Sequence, residues 1–313
     1  MTGSASEAVT LHALGVATAQ GSRPSQQDRH IIFTPDEVPS EIGEKIAIFG
    51  VFDGHGSHSI AKHAQLNMLQ FLLASPEFPK GNYEQAMQAA IDKEEKTLFQ
   101  EFKDGKEHFA VAGSTASLVI LNLSTGVLVV GNLGDSHVLL AERDPSNGEL
   151  RSIRRLTEDH KPDGPDEKQR IEDAGGEVHS QNNTSRIGAI NMSRALGDLQ
   201  YKAPLNNMPH GPITDEQTLA IGDPSKPKED FLSTQISSTR VELKKDGQYL
   251  LALTSDGITN ALQDKNIMHS MSSLFGKGLK ANEVAEAIVK ESTDRPGSDN
   301  ATFISVFLKG DDA

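Results

Sequence analysis

The sequence contains no cysteine, which excludes disulfides, thiolate nucleophiles and zinc sites built on thiolates. It is also poor in basic residues, with 30 Lys and Arg against 44 Asp and Glu and a net charge of −14. We therefore expect neither a nucleic acid nor an anionic membrane surface as a partner. No apolar run is long enough to span a bilayer, and no signal peptide is visible at the N-terminus.

The chain also lacks internal repeats and any Gly/Ser-rich linker that would divide it. Its 313 residues, 36% of them hydrophobic, can supply a sizeable core. We therefore predict one domain over residues 1–313, with a core of about residues 9–309. We expect a monomer in the cytoplasm or nucleus, or in the mitochondrial matrix if a transit peptide has been removed.

The central stretch of the chain is an apolar run, residues 46–52, that ends in Asp53-Gly54-His55-Gly56. Its length and β-branched content predict a buried strand. A carboxylate directly after such a strand must be paired, hydrated or bound to a cation, because burying a bare charge is costly. Glycines let the backbone turn and let a ligand approach its carbonyls. Asp-Gly is also a common turn dipeptide, so a plain hairpin turn stays open at this point.

The periodicity of apolar residues predicts both helices and strands. Helical spacing marks residues 60–72 and 83–102, and further helices are predicted at 165–174, 264–274 and 281–291. Strands are predicted at 11–19, 31–33, 115–123, 126–130, 138–142, 151–156, 186–192, 239–243, 248–254 and 301–308. Short connections predict antiparallel neighbours, and Lys245-Asp-Gly predicts a hairpin. We therefore expect an α+β fold of two antiparallel sheets packed face to face, with helices outside.

Residues 202–238 are polar and rich in proline, which predicts an irregular insertion. A loop of this length in a compact domain is usually functional or disordered. One hypothesis is that it shapes docking of a substrate or regulator. A tolerated surface insertion is the alternative, because long surface loops cost little stability.

Aspartates beside small or turn residues recur where predicted strands begin or end, namely Asp28, Asp53, Asp135, Asp256 and Asp299. In an antiparallel sheet one strand's exit lies beside its neighbour's entry, so these carboxylates can converge on one rim. Asp is also an ordinary turn residue, and that alternative stays open. If they converge, their repulsion requires cations, and an oxygen-only ligand set favours Mg²⁺ or Mn²⁺. Two such ions can share a carboxylate and hold a hydroxide for in-line attack on phosphorus.

Two further residues suit that chemistry. His55, two residues after Asp53, can protonate a leaving alkoxide. Arg23, five residues before Asp28, can bind phosphoryl oxygens. Ordinary surface roles are the alternatives for both side chains.

Nine pieces of the sequence, in order, resemble the metal-dependent protein serine/threonine phosphatases of the PPM, or type 2C, family. The resemblance extends over residues 23–308. The pieces are Arg23-Pro-Ser-Gln-Gln-Asp28, Val51-Phe-Asp-Gly-His-Gly56, Gly113-Ser-Thr-Ala116, Gly131-Asn-Leu-Gly-Asp-Ser136, Leu156-Thr-Glu-Asp-His-Lys-Pro162, Arg170-Ile-Glu-Asp-Ala-Gly-Gly176, Met192-Ser-Arg-Ala-Leu-Gly-Asp198, Thr254-Ser-Asp-Gly257 and Asp299-Asn300.

The resemblance implies an αββα four-layer sandwich with a binuclear Mn²⁺/Mg²⁺ centre. It implies that Asp53 bridges both ions, that the Gly54 carbonyl binds one, and that Asp256 and Asp299 bind the other. Asp28 resembles an outer carboxylate that holds metal-bound water.

The resemblance extends to the residues around this centre. Asp135 resembles a ligand of a weaker third ion. Arg23 resembles the phosphate-binding arginine and His55 the general acid. Residues 163–192 resemble the family's flap beside the active site. His137 is a departure, because many members have Arg at this position.

The implied activity is hydrolysis of phosphoserine and phosphothreonine on phosphoproteins by a metal-bound hydroxide. A catalytically weak or inactive relative that acts as a regulatory subunit or scaffold is the alternative. The presence of Asp53, Asp256 and Asp299 favours the active enzyme. A metal phosphatase that acts on small molecules is a third possibility that the residues leave open.

Overall fold

The structure is a computed structural model that describes residues 7–39, 43–207 and 229–313. The strands are β1 (Val9–Ala19), β2 (Arg29–Phe33), β3 (Ile46–Phe52), β4 (Gly54–His55), β5 (Gly113–Ser114), β6 (Ala116–Asn122), β7 (Val127–Leu133), β8 (His137–Arg143), β9 (Leu150–Arg155), β10 (His179–Gln181), β11 (Thr184–Arg186), β12 (Leu196–Gly197), β13 (Ser237–Glu242), β14 (Gln248–Thr254) and β15 (Ala301–Gly310). The α-helices are α1 (Ser59–Ala74), α2 (Tyr83–Lys103), α3 (Pro165–Asp173), α4 (Asp256–Thr259), α5 (Asp264–Gly276) and α6 (Ala281–Thr293).

Within the described residues, two five-stranded antiparallel sheets form the centre of the fold. One has the order β13-β7-β6-β3-β2, and the other has the order β1-β15-β14-β8-β9. Helices α1 and α2 cover the first sheet, and α5 and α6 lie against the second. The predicted αββα sandwich is therefore confirmed.

Every residue of β3 is buried, because the strand is covered on both faces and its side chains alternate between them. Ile46, Ile48 and Phe52 pack in the cluster beneath α1 and α2. The intervening Ala47, Phe49 and Val51 pack between the two sheets. Because successive side chains point to opposite faces, a strand covered on both sides reads as a continuous apolar run.

Two short connections were expected to join neighbouring strands, and that expectation was wrong. The turn at Lys245 links β13, which pairs with β7, to β14, which pairs with β8 and β15 in the other sheet. The Gly134-Asp135-Ser136 turn likewise carries the chain from β7 in one sheet to β8 in the other. A short connection can join stacked sheets as readily as adjacent strands. Asp135 consequently lies at the crossing between the two layers.

A smaller subdomain beside the sandwich contains α3 and the β10–β11 hairpin. The predicted strand at 186–192 was wrong, because the chain turns back at Gly188, which has φ +56°, and Ile187 bridges to Ile190. Phe231 and Leu232, near the C-terminal end of the predicted insertion at 202–238, join the apolar cluster of this subdomain, so this part of the insertion is packed rather than irregular. The middle of the predicted insertion, residues 208–228, lies outside the described residues.

Candidate active site

Asp53 and Asp256 lie directly beyond an inner strand of each sheet. Asp53 follows β3, and Asp256 follows β14 and begins the short helix α4. Asn260 Nδ2 donates to Asp256 Oδ2 at 3.0 Å. Gly257 is required after Asp256, because a Cβ there would lie 1.9 Å from the carbonyl oxygen of Asn300. Each sheet thus contributes one carboxylate to a common rim.

Asp28 is buried in the same region, with 2% of its surface exposed. Ser255 Oγ and Thr302 Oγ1 each donate to Asp28 Oδ2 at 2.8 Å, whereas Oδ1 has no partner among the described residues. Burial raises the pKa of Asp28 to about 6, although these two hydrogen bonds oppose the change. A buried carboxylate oxygen without a donor can accept a hydrogen bond from an ordered water.

The other two carboxylates each contact a cationic side chain. Arg23 Nη2 donates to Asp299 Oδ2 at 2.5 Å, and the Arg23 side chain is 57% exposed. Lys161 Nζ donates to Asp135 Oδ2, and Asp135 is only 4% exposed. Arg23 therefore lies at the rim as expected, where it pairs with a predicted metal ligand. Its affinity for phosphate stays a prediction.

The five aspartates are close enough to affect one another's ionisation. Burial, followed by the charges of Asp28, Asp256, Asp135 and Asp299, raises the pKa of Asp53 well above its usual range. Burial, followed by the charges of Asp135 and Asp299, raises the pKa of Asp256 to about 7. Such mutual effects between like charges require proximity. The structure thus brings together all five residues that the sequence singles out.

The donor chemistry of this rim fits Mg²⁺ or Mn²⁺. In the described ranges, no three Asp, Glu or His side chains already surround one point as a closed ligand set. The carboxylates are nevertheless all oxygen donors, and three of them carry pKa values raised by burial and by neighbouring negative charges. A divalent cation would relieve that repulsion and displace the protons.

His55, whose side chain is partly exposed, pairs with the buried carboxylate of Asp198, a residue to which the sequence assigned no role. His55 Nε2 lies 2.5 Å from Asp198 Oδ2, and Nδ1 has no partner among the described residues. Burial is the largest single influence and lowers the pKa of His55, but the charge of Asp198, its hydrogen bond to the ring and the charge of Asp135 together outweigh burial, so the net shift is upward. Gly113 makes room for the pair, since a Cβ there would lie 1.9 Å from Asp198 Oδ2. The pair favours the protonated form of the imidazole next to the rim.

Asn300 is a second residue whose part the sequence did not reveal. Its Oδ1 accepts from the Gln27 backbone N–H at 2.8 Å, and its Nδ2 donates to the carbonyls of Gln20 at 2.8 Å and Ser25 at 2.9 Å. Asn300 therefore holds the loop that carries Arg23 against the strand that follows Asp299. The Asp299-Asn300 dipeptide is the only sequence signal, and it does not reveal a partner 275 residues away.

Comparison with known proteins agrees with the fold. The protein phosphatase 2C family model matches residues 12–301. "Probable protein phosphatase 2C 2" of Paramecium tetraurelia is 30% identical, over 93% of this chain and 90% of its own length. "Probable protein phosphatase 2C 45" of Oryza sativa is 30% identical, over 95% of this chain and 88% of its own length.

A solved structure shows the same fold. The crystal structure of serine-threonine phosphatase 2C from Toxoplasma gondii superposes with a TM-score of 0.74 at 23% identity, and the match covers 97% of both chains. The family match covers nearly the whole sandwich and includes most of the residues at its rim. The chain belongs to the protein phosphatase 2C family of metal-dependent serine/threonine phosphatases.

Proposed function

We propose that this chain hydrolyses phosphoserine and phosphothreonine on phosphoproteins, with Mn²⁺ or Mg²⁺ bound by the rim aspartates. The supporting observation is the convergence of five carboxylates at one rim, where burial and the charges of the neighbouring aspartates raise the pKa values of Asp53 and Asp256. Repulsion within such a cluster destabilises the folded protein unless cations are bound. The family relationship supplies the reaction type.

Asp53, the carbonyl oxygen of Gly54, Asp256 and Asp299 would hold the two ions. Asp28, held by Ser255 and Thr302, would accept a hydrogen bond from water through its free Oδ1. When bound, the cations lower the pKa of a coordinated water and polarise the phosphoryl group. Asp135, at the crossing between the sheets, would bind a weaker third ion.

His55 would donate the proton that the leaving serine or threonine oxygen needs. Asp198 occupies Nε2, so Nδ1 is the ring nitrogen left to donate. The raised pKa of His55 keeps the imidazole charged closer to neutral pH. Arg23 would turn its exposed guanidinium from Asp299 to the phosphoryl oxygens, where it can make two parallel hydrogen bonds.

The test is release of phosphate from a phosphothreonine peptide with Mn²⁺ and, in parallel, with a chelator. We expect Asp53→Ala and Asp256→Ala to reduce Mn²⁺-dependent turnover to the chelated background while the circular dichroism spectrum is unchanged. Asp246→Ala is the matched control, because Asp246 is exposed in the turn before β14, at the opposite end of that strand from Asp256. Wild-type turnover in either rim variant would contradict the proposal.

A further inference from the structure

Lys161 contacts the rim through Asp135, and the proposed reaction gives this lysine no role. Its ammonium group donates to Asp135 Oδ2, and one third of the side chain is exposed. Asp135 is buried, so its carboxylate gains more from a counter-ion than a surface carboxylate does. The resemblance pointed to the segment around Lys161 but gave this lysine no role.

The backbone next to Lys161 is fixed to the turn that carries Asp135. The Gly134 N–H donates to the His160 ring at Nδ1 at 3.0 Å, and the His160 N–H donates to the Gly134 carbonyl at 3.1 Å. The Ser193 N–H also donates to the His160 carbonyl at 2.9 Å. These contacts hold the Lys161 backbone beside Asp135, whether or not its side chain engages the carboxylate.

Lys161 therefore occupies the position of a counter-ion for more than one carboxylate. Its charge is favoured by Asp135 first among the carboxylates, and then by Asp256 and Asp159. Asp135 is in turn a leading source of the negative potential at Asp256. A divalent cation that bound between Asp135 and Asp256 would compete with the ammonium group for Asp135, because two cations this close repel each other.

We propose that Lys161 is a tethered counter-cation that competes with a divalent ion for Asp135. This inference rests on the proposed function, since it concerns an ion at the same rim. The Gly164 N–H donates to the Lys161 carbonyl at 3.1 Å, directly before α3 begins at Pro165. Lys161 thus joins the Asp135 turn to the subdomain beside the active site.

The experiment measures Mn²⁺ binding without substrate, by titration calorimetry and by the signal of free Mn²⁺ in electron paramagnetic resonance. Lys161→Met keeps the aliphatic stem and removes the charge. We expect the most weakly bound ion to bind about tenfold more tightly, which corresponds to about 1.4 kcal/mol. The tighter ions should change little. Lys168→Met is the matched control, because Lys168 lies on α3 and its nearest carboxylate is Glu172 at 3.7 Å.

A second background separates competition from an indirect effect. In Asp135→Asn the carboxylate for which the two cations compete is gone, so adding Lys161→Met should leave Mn²⁺ affinity unchanged. Equal affinities in Lys161→Met and Lys168→Met, or weaker binding in Lys161→Met, would overturn the inference. Tight Mn²⁺ binding and phosphopeptide turnover in the wild type would then leave the proposed function standing. Failure of every variant and the wild type to bind Mn²⁺ would overturn both.

Discussion

At the scale of single residues, Asp198 has the clearest consequence for catalysis outside the aspartate cluster. It adopts a left-handed backbone conformation with φ +47°, which a side chain other than Gly, Asn or Asp rarely accepts. Its N–H donates to the Ala112 carbonyl at 2.7 Å, which fixes the carboxylate next to His55. Glu95 secures the same loop from α2 by accepting from the Gly197 N–H at 3.0 Å. Asp198 is therefore a positioning residue that acts through His55.

Asp198→Asn should keep the backbone, because Asn tolerates the left-handed conformation, while removing the charge that stabilises protonated His55. We expect kcat on a phosphothreonine peptide to fall by about 100-fold, within the range for loss of a general acid. Turnover of nitrophenyl phosphate should change much less, because nitrophenolate leaves without a proton. His55→Gln should give the same pattern. Equal losses on both substrates would contradict this role.

At the scale of secondary-structure elements, the sequence predicts segments better than it predicts their partners. The apolar run that forms β3 predicts the bounds of the strand, because both faces are covered. The two connections that cross between sheets were misassigned, since a turn sequence does not specify which layer the next strand enters. The role of Asp198 was missed for a related reason. Its partner His55 lies 143 residues earlier, and only the folded chain brings them together.

The insertion can be tested as an element because its described ends are held together. Asn206 Nδ2 donates to the Glu229 carbonyl at 2.6 Å, and the Ala203 N–H donates to Asp230 Oδ1 at 2.7 Å. A groove of about 530 Å³ lies at these ends, and Arg170, Asp230 and Gln235 are among its polar lining residues. This groove suits the hypothesis that the insertion contributes to docking.

Replacement of residues 208–228 by a short Gly-Ser linker should therefore leave the fold and the rim intact. If the insertion shapes docking, turnover of nitrophenyl phosphate should stay within about twofold, while kcat/KM on the true phosphoprotein falls at least about tenfold. Replacement of residues 145–148, in the turn before β9, by the same kind of linker controls for the general effect of replacing a surface loop. Unchanged rates on both substrates would favour the alternative that the segment is a tolerated surface insertion. Loss of activity on both substrates would mean that the segment supports the aspartates at the rim.

At the scale of the whole molecule, the aspartate cluster links stability to pH and to metal. The chain carries a net charge of −14, and the rim concentrates part of that charge on buried and partly buried carboxylates. Burial raises the pKa of Asp28 to about 6 and that of Asp256 to about 7, from 3.8 in each case. The folded protein therefore binds more protons than the unfolded chain between about pH 4 and pH 7. Stability without metal should be lost as pH rises through that range.

We accordingly expect the free energy of unfolding in a chelator to fall between pH 5 and pH 8, by roughly 1–3 kcal/mol, because the carboxylates titrate as a coupled set. The pKa values of the imidazoles also shift, upward for His55 and downward for His160, so the decisive measurement compares the wild type with a variant.

Asp256→Asn should flatten the pH dependence of the urea midpoint. Asp144→Asn should not, because hydrogen bonds from Ser146, followed by Arg151, lower the pKa of Asp144 to about 2. Saturating Mn²⁺ should oppose the fall in the wild type, since deprotonation favours metal binding. The contrary result would be a free energy of unfolding, measured without metal, that rises from pH 5 to pH 8 with the same slope in Asp256→Asn as in the wild type. That result would mean that the bound cations do not relieve repulsion within this cluster.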